Sequence, residues 1–277
     1  MRSNISYAIK LLGYGQDYVK TGQLKDIDNV SFYYLLVADG HGGHELIQNI
    51  NMFDWDNILK YKTAKDILSN INREILLKCN NSYRSGSTLS IVKIYESKIF
   101  VYWLGDSQVH IKINDEAYFK TDNHNTENTD ELKKHNTTHE INTFKILNDH
   151  EIGFKKSKYF KFQNIKNELE YLSVSRCLGH NFITLQHMDS ISYNINKDDT
   201  FSILVASDGL HDMLYEPYIL NKYPDKDAQF FVDLAENRWN QDWNYITDDL
   251  KYKKYKFSEI KGEKDDIAVA IFHRKPL

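Results

Sequence analysis

Ser31 to Glu45 reads SFYYLLVADGHGGHE. From Phe32 to Ala38 the run is apolar without alternation, the pattern of a strand covered on both faces rather than one with a solvated side. It stops at Asp39-Gly40-His41-Gly42-Gly43 and restarts as a helix-like stretch. An acid, a histidine and three glycines at the end of a buried strand mark a site, because glycine lets backbone approach a ligand closely and adopts positive φ without strain. Ile203-Leu204-Val205-Ala206 is a second continuously apolar run, followed in the same way by Ser207-Asp208-Gly209. Two strands of this kind require layers on both sides.

Further strands are expected at Thr88–Tyr95, Lys98–Leu104, Gln108–Ile113 and Ile267–His273, with the second apolar run extended to Phe201–Ala206. Ser87–Ile113 reads as an antiparallel meander, turning at Glu96-Ser97 and again at Gly105-Asp106-Ser107. Helical spacing over Thr63–Lys78 places Ala64, Ile67, Leu68, Ile71, Ile75 and Leu76 on one side, and a second helix is expected around Asp227–Trp239. The polar stretch Thr121–Asn142 is expected to be an exposed loop with a short helix, a mobile flap in form. His124, His135, His139 and His150 are then simply exposed. These elements suggest an α+β fold of two stacked antiparallel sheets flanked by helices, and periodicity alone leaves other α+β layerings open.

The chain has 277 residues, with no Gly/Ser or Pro-rich linker and no fixed-period repeat, so residues 1–277 are expected to form a single domain. Its 35 basic and 39 acidic residues nearly balance, which gives no basic footprint and no expectation of a nucleic-acid partner. No segment approaches the roughly 20 apolar residues of a membrane span, and no signal-peptide pattern opens the chain. Cys79 and Cys177 are too few for a disulfide framework, which fits a reducing compartment. A soluble, cytoplasmic monomer that does not engage membranes is the expectation. Each cysteine is expected to be a packing residue.

Asp39 and Asp208 have company. Asp265-Asp266 immediately precede a strand, and Asp17 follows the glycine-containing turn Gly13-Tyr14-Gly15-Gln16. Any one Asp-Gly at a strand end is usually a turn. Together, carboxylates at one sheet edge suit Mg²⁺ or Mn²⁺, hard cations that want oxygen ligands. A pair of such ions roughly 3.5–4 Å apart activates water for in-line attack on phosphorus, and His41 is placed to protonate the leaving oxygen. His41 and His44 hint at zinc, but no third ligand follows at zinc-site spacing, so zinc ranks below Mg²⁺ and Mn²⁺.

Taken in order, six segments resemble the protein phosphatase 2C family, the metal-dependent serine/threonine phosphatases. They are Val37 to Gly43, Ser85-Gly86-Ser87-Thr88, Leu104-Gly105-Asp106-Ser107, Val174 to Gly179, Ala206 to Asp212 and Asp265 to Val269. The resemblance implies a four-layer αββα sandwich with a binuclear metal site at one edge. It implies that Asp39 bridges two Mg²⁺ or Mn²⁺ ions, that the Gly40 carbonyl and Asp17 hold metal or metal-associated water, that Asp208 and Asp265 complete the set, and that His41 is the general acid. A phosphorylated protein is the implied partner and phosphoserine or phosphothreonine the substrate. Asp122 is the nearest acid to the family's third-metal segment, but Asn123 takes the strict position. Leu12 stands where the family carries a phosphate-binding arginine, leaving Lys10 or another cation to substitute. Gln108 replaces an Arg and His180 an Asp. These departures keep open an alternative, a catalytically impaired pseudophosphatase that binds a phosphoprotein or other partner. A metal-dependent nuclease would share the chemistry but want a basic surface.

Overall fold

The computed structural model describes residues 2–79, 84–114, 117–135, 137–163, 167–184, 186–214, 218–246, 251–257 and 263–275. Two antiparallel sheets form its centre. The first runs in the order β1 (Arg2–Lys10), β17 (Ile267–Lys275), β14 (Phe201–Ala206), β7 (Gln108–Ile113), β8 (Ala117–Lys120). The second runs β12 (Leu178–Gly179), β4 (Gly86–Ser87), β3 (Ser31–His41), β5 (Leu89–Ile94), β6 (Lys98–Leu104), β13 (Asp189–Asn194), with β2 (Asp17–Lys25) also paired to β3.

The unbroken apolar run of β3 now has its reason. Leu35 and Val37 join Val92 and Val101 in a core between the sheets, facing Val109, Ile203, Val205 and Ala270 of the first sheet. Leu36 and Ala38 point the other way, into a core shared with Ile67, Ile71 and Ile75. Those isoleucines belong to α3 (Ala64–Lys78), which follows α1 (Glu45–Ile50) and α2 (Trp55–Ile58) over this outer face. On the opposite flank, Leu204 and Ile271 pack with Phe231, Val232 and Trp239. These three lie on α7 (Ala228–Asn240), beside α5 (Asp208–Met213) and α6 (Ile219–Lys222). The expected four-layer αββα arrangement is therefore present, with alternate side chains of each central strand feeding different cores.

Local chemistry sets the helix ends. Thr63 caps α3 by accepting from the Asp66 amide at 3.1 Å, and Asp227 caps α7 by accepting from the Phe230 amide at 2.9 Å. Leu76, read from spacing as part of the buried stripe, is 71% exposed, because the sheet-facing side of α3 ends at Ile75.

The meander is corrected at its second turn. β5 and β6 pair as expected, but β7 pairs with β14 and β8 in the other sheet. Gly105-Asp106-Ser107 is thus a crossover between layers, not a hairpin. Gly105 has φ 96°, and a Cβ there would lie 2.6 Å from the Thr88 side chain, so only glycine makes the bend.

A third sheet was not foreseen. β9 (Thr137–Asn148) and β10 (Glu151–Gln163) form a long hairpin, with β11 (Leu169–Leu172) on β10 and with β15 (Trp243–Ile246) and β16 (Tyr252–Tyr255) continuing the other edge. The expected loop over Thr121–Asn142 does contain a short helix, α4 (Thr129–Lys134), but from Thr137 it is strand. His124 is 1% exposed rather than on the surface, stacked on Trp103 and hydrogen-bonded to Asp189 at 3.0 Å.

Candidate metal centre and its cleft

The acids converge because the two sheets end together. Asp17 and Asp39 are direct partners across the β2–β3 ladder, so their side chains leave the same face. Asp208 opens α5 directly after β14, and Asp265 stands two residues before β17. Ser207 ties the sheets: its Oγ donates to Asp17 Oδ2 at 2.7 Å and accepts from the Ala268 amide at 2.9 Å. Asp266 faces the other way, accepting from the amides of Gly13 at 2.7 Å and Gln16 at 2.6 Å, so it anchors the loop that delivers Asp17. The Gln16 carbonyl in turn accepts from the Gly40 amide at 2.8 Å, and a Cβ on Gly40 would lie 2.8 Å from that carbonyl. Gly40 is therefore fixed by close backbone contact beside Asp39.

The electrostatics are those of one sign held together. Burial, then the charges of Asp17 and Asp265, push the Asp39 carboxyl well above the usual range. Burial with Asp39 and Asp106 does the same to Asp208, burial with Asp265 to Asp17, and burial with Asp208 to Asp265. Asp39 and Asp208 stand close enough that the charge of each bears on the other. Among the described residues, the shielded Asp208 Oδ1 has no hydrogen-bond donor. An all-oxygen set with mutual repulsion and an orphaned acceptor fits hard divalent cations.

Two further acids belong here. Asp106, in the crossover turn, accepts from Asn125 Nδ2 at 3.1 Å and is raised by burial. Asp212 lies one helical turn after Asp208; surrounding protein and Asp106 push it up to about 7, although it keeps a solvent-open edge. The i, i+4 spacing of Asp208 and Asp212 was the readable signal for the second of them. Both line a cleft of about 590 Å³ together with Asn123, Asp208, Lys155 and Lys158. Asp122 stands apart. Its side chain is exposed, and it lines two other hollows while Asn123 faces this one.

His41 ends β3 opposite Gly86. Its Nδ1 lies 3.0 Å from Nε2 of the buried His180, whose Nδ1 lies 3.3 Å from a Glu170 carboxylate oxygen. One proton lies between His41 Nδ1 and His180 Nε2, whichever ring donates it. His41 Nε2 is shielded and has no hydrogen-bond partner among the described residues. Burial and His180 together hold the His41 imidazole neutral, its pKa lowered to about 3.

Lys10, the cation the sequence offered, lies elsewhere, and Gln108 lines the cleft without bringing charge to it. Lys10 pairs with Glu236 on α7 at 2.8 Å, and Leu12 packs against the core beneath that helix. Gln108 is buried and bonded to His110 at 3.2 Å. In the cleft wall, Lys155 pairs with Glu127, whereas no ion pair engages Lys158 among the described residues.

Residues 17–219 match the model of the protein phosphatase 2C family. The chain belongs to that family. Phosphatases of this fold resemble it over their whole length at low identity. A Streptococcus agalactiae serine/threonine phosphatase is 18% identical with TM-score 0.59, covering 99% of this chain and 100% of its own. Stp1 of Staphylococcus aureus is 13% identical with TM-score 0.59, over 100% and 96%. The catalytic domain of PstP, solved with two manganese ions, is 14% identical with TM-score 0.53, over 98% and 97%. Comparison with curated proteins by sequence gives no match. No described helix of this protein phosphatase 2C member is long and apolar enough to cross a membrane.

Proposed function

We propose that the protein hydrolyses phosphoserine and phosphothreonine in a protein substrate, using Mg²⁺ or Mn²⁺. The observation that carries this reading is the convergence of Asp17, Asp39, Asp208 and Asp265 from both sheets, each raised by burial and by its neighbours' charge. Asp39 and Asp208 would hold the cations centrally, with Asp17, Asp265 and the Gly40 carbonyl around them. The ions would supply Lewis-acid polarisation and an acidified water for attack on phosphorus.

The chain's own residues do the rest. Ser207 and Asp266 hold Asp17 and its loop in place, so the ligand geometry is set before substrate arrives. Lys158, with Lys155 beside it, supplies positive charge over the cleft in place of the arginine absent at Leu12. A lysine does this as a point charge, without a bidentate fork. His41 Nε2 is the remaining proton-handling atom. The neutral ring must become imidazolium before it is an effective acid toward the leaving oxygen, so His41 matters most for alkyl leaving groups such as serine and threonine.

The test is phosphate release from a phosphothreonine peptide with Mn²⁺, comparing wild type with Asp39→Asn and His41→Ala. Asp39→Asn is expected to lose at least about a thousandfold in kcat. His41→Ala is expected to lose about 10- to 100-fold on the peptide and little on an aryl phosphate. Wild-type release no greater than that of Asp39→Asn would refute the enzyme reading. It would leave the binding-module alternative, which the His180 substitution beside His41 favours.

A further inference from the structure

The spacing of His41 and His44 offered no third zinc ligand in sequence, and His44 instead lies edge-on to Tyr14. The second and third ligands come from much later in the chain. Cys177 and His180 bracket the Leu178-Gly179 strand, which pairs with β4, and β4 pairs with the end of β3 at His41. This brings His41, Cys177 and His180 together, one ligand atom from each lying within 4.8 Å of the others.

From this we infer a second metal site, distinct in chemistry from the carboxylate centre: His41 Nδ1, His180 Nε2 and Cys177 Sγ form an N₂S pocket for Zn²⁺ or a similar borderline-soft ion. Four observations support it. Two imidazoles and a thiol are the donor types zinc selects, and they are poor ligands for Mg²⁺. The edges of a zinc tetrahedron with these donors are about 3.3–3.6 Å, so closing from the present spacing needs about 1 Å of side-chain adjustment. A carboxylate oxygen of Glu170 stands 3.3 Å from the remote nitrogen of His180, near where the outer partner of a metal-binding histidine sits. Finally, the backbone is forced here: Gly179, His180, Asn181 and Phe182 take φ of 78°, 44°, 50° and 60°, a left-handed run that costs L-residues energy.

Proton accounting is simple. The one proton between the two rings moves to an outer nitrogen, so that each imidazole stays neutral and turns a bare nitrogen to the metal. The Cys177 thiol, which burial keeps protonated with a pKa of about 12, releases one proton as its sulfur becomes a thiolate ligand. Binding therefore releases one proton in all. With Nδ1 on the metal and a proton on Nε2, His41 has no free nitrogen left to take up a further proton. Zinc bound here leaves His41 only a neutral N–H, a far weaker acid than the imidazolium, and does not touch the carboxylate ligands. This inhibitory consequence rests on the proposed phosphatase function; the binding does not.

Cobalt(II) titration in excess Mg²⁺ tests the binding without any assay of activity. Wild type is expected to develop a thiolate-to-cobalt charge-transfer band saturating at one equivalent. The band should be lost in Cys177→Ser and in His180→Asp, and kept in Asp208→Asn and Cys79→Ser. No band in wild type, or a band that survives in Cys177→Ser, overturns the site. If Cys177→Ser does not fold by circular dichroism, His180→Asp keeps both thiols and decides in its place. Zinc inhibition of peptide hydrolysis should weaken at least about tenfold in His180→Asp. An inactive wild type that still shows the band would sink the phosphatase reading and leave the metal site standing.

Discussion

Two buried clusters of charge sit in this protein, and they are opposites. Around Arg176, opposite signs are matched: the guanidinium donates to Glu131 Oε1 and Oε2 and to Asp189 Oδ1, and Asp189 also meets His124. Burial alone would raise Glu131, but donors from Arg176, Lys134 and Ser175 outweigh it and hold it at about 2. At the sheet ends, Asp17, Asp39, Asp208 and Asp265 pair with no arginine or lysine among the described residues, and all four are raised. The first cluster is complete within the protein. The second is left uncompensated by the protein, which is what suits it to the cations proposed for it.

Removing one partner is the strongest way to break the comparison. Arg176→Met strands Glu131 and Asp189 and is expected to cost about 3–5 kcal/mol in denaturant unfolding. The corresponding change at the other cluster has the opposite sign. Asp39→Asn relieves repulsion and is expected to stabilise the metal-free protein by about 1–2 kcal/mol, while abolishing the rise in Tm that Mn²⁺ gives the wild type. Equal or lower metal-free stability of Asp39→Asn would show that the acids are internally compensated.

The pH dependence separates the two further. Glu131 has a depressed folded pKa, so its contribution is present above its unfolded value and lost as pH falls from about 4.5 towards 2. The Arg176→Met penalty should shrink only in that acid range. Asp39 has a raised folded pKa, so it favours folding most below its ordinary value and loses that contribution as pH rises. The advantage of Asp39→Asn should therefore grow from pH 5 to pH 8 in thermal melts. The smallest expected effect is at the cleft wall, where Lys158→Ala should raise KM about three- to tenfold and leave kcat nearly unchanged.

The buried strands and both long helices were legible, because their apolar periods and their caps at Thr63 and Asp227 are local. So were Asp39, Asp208 and Asp265, since each follows or precedes a readable strand, whereas Asp17 opens a strand that was not read and was reached only through the glycine-containing turn before it. The β6–β7 crossover was not: close spacing of two strands looks alike whether the turn pairs them or passes them to another sheet, and only the Gly105 contact with Thr88 distinguishes the cases. The β9–β10 hairpin, rich in lysine and phenylalanine, lacks a clean alternation because Lys155-Lys156-Ser157-Lys158 interrupts its apolar positions. Asp106 was hidden for the first reason, and the meeting of His41 with Cys177 and His180 because more than a hundred residues separate them in sequence.

That crossover also bears on how the protein comes of age. Thr88 joins Ser107 through their hydroxyls at 2.6 Å, while the Thr88 amide and hydroxyl fix Asp39 from the neighbouring strand. The β5–β6 hairpin is a local structure that can form early, but every acid of the centre depends on partners distant in the chain, and such contacts are made late in folding. A nascent or half-folded chain would carry all of the ligands and none of the site. Catalytic competence would then arrive only with the closing of one layer upon the other, leaving no partly built form to act on the phosphoproteins around it.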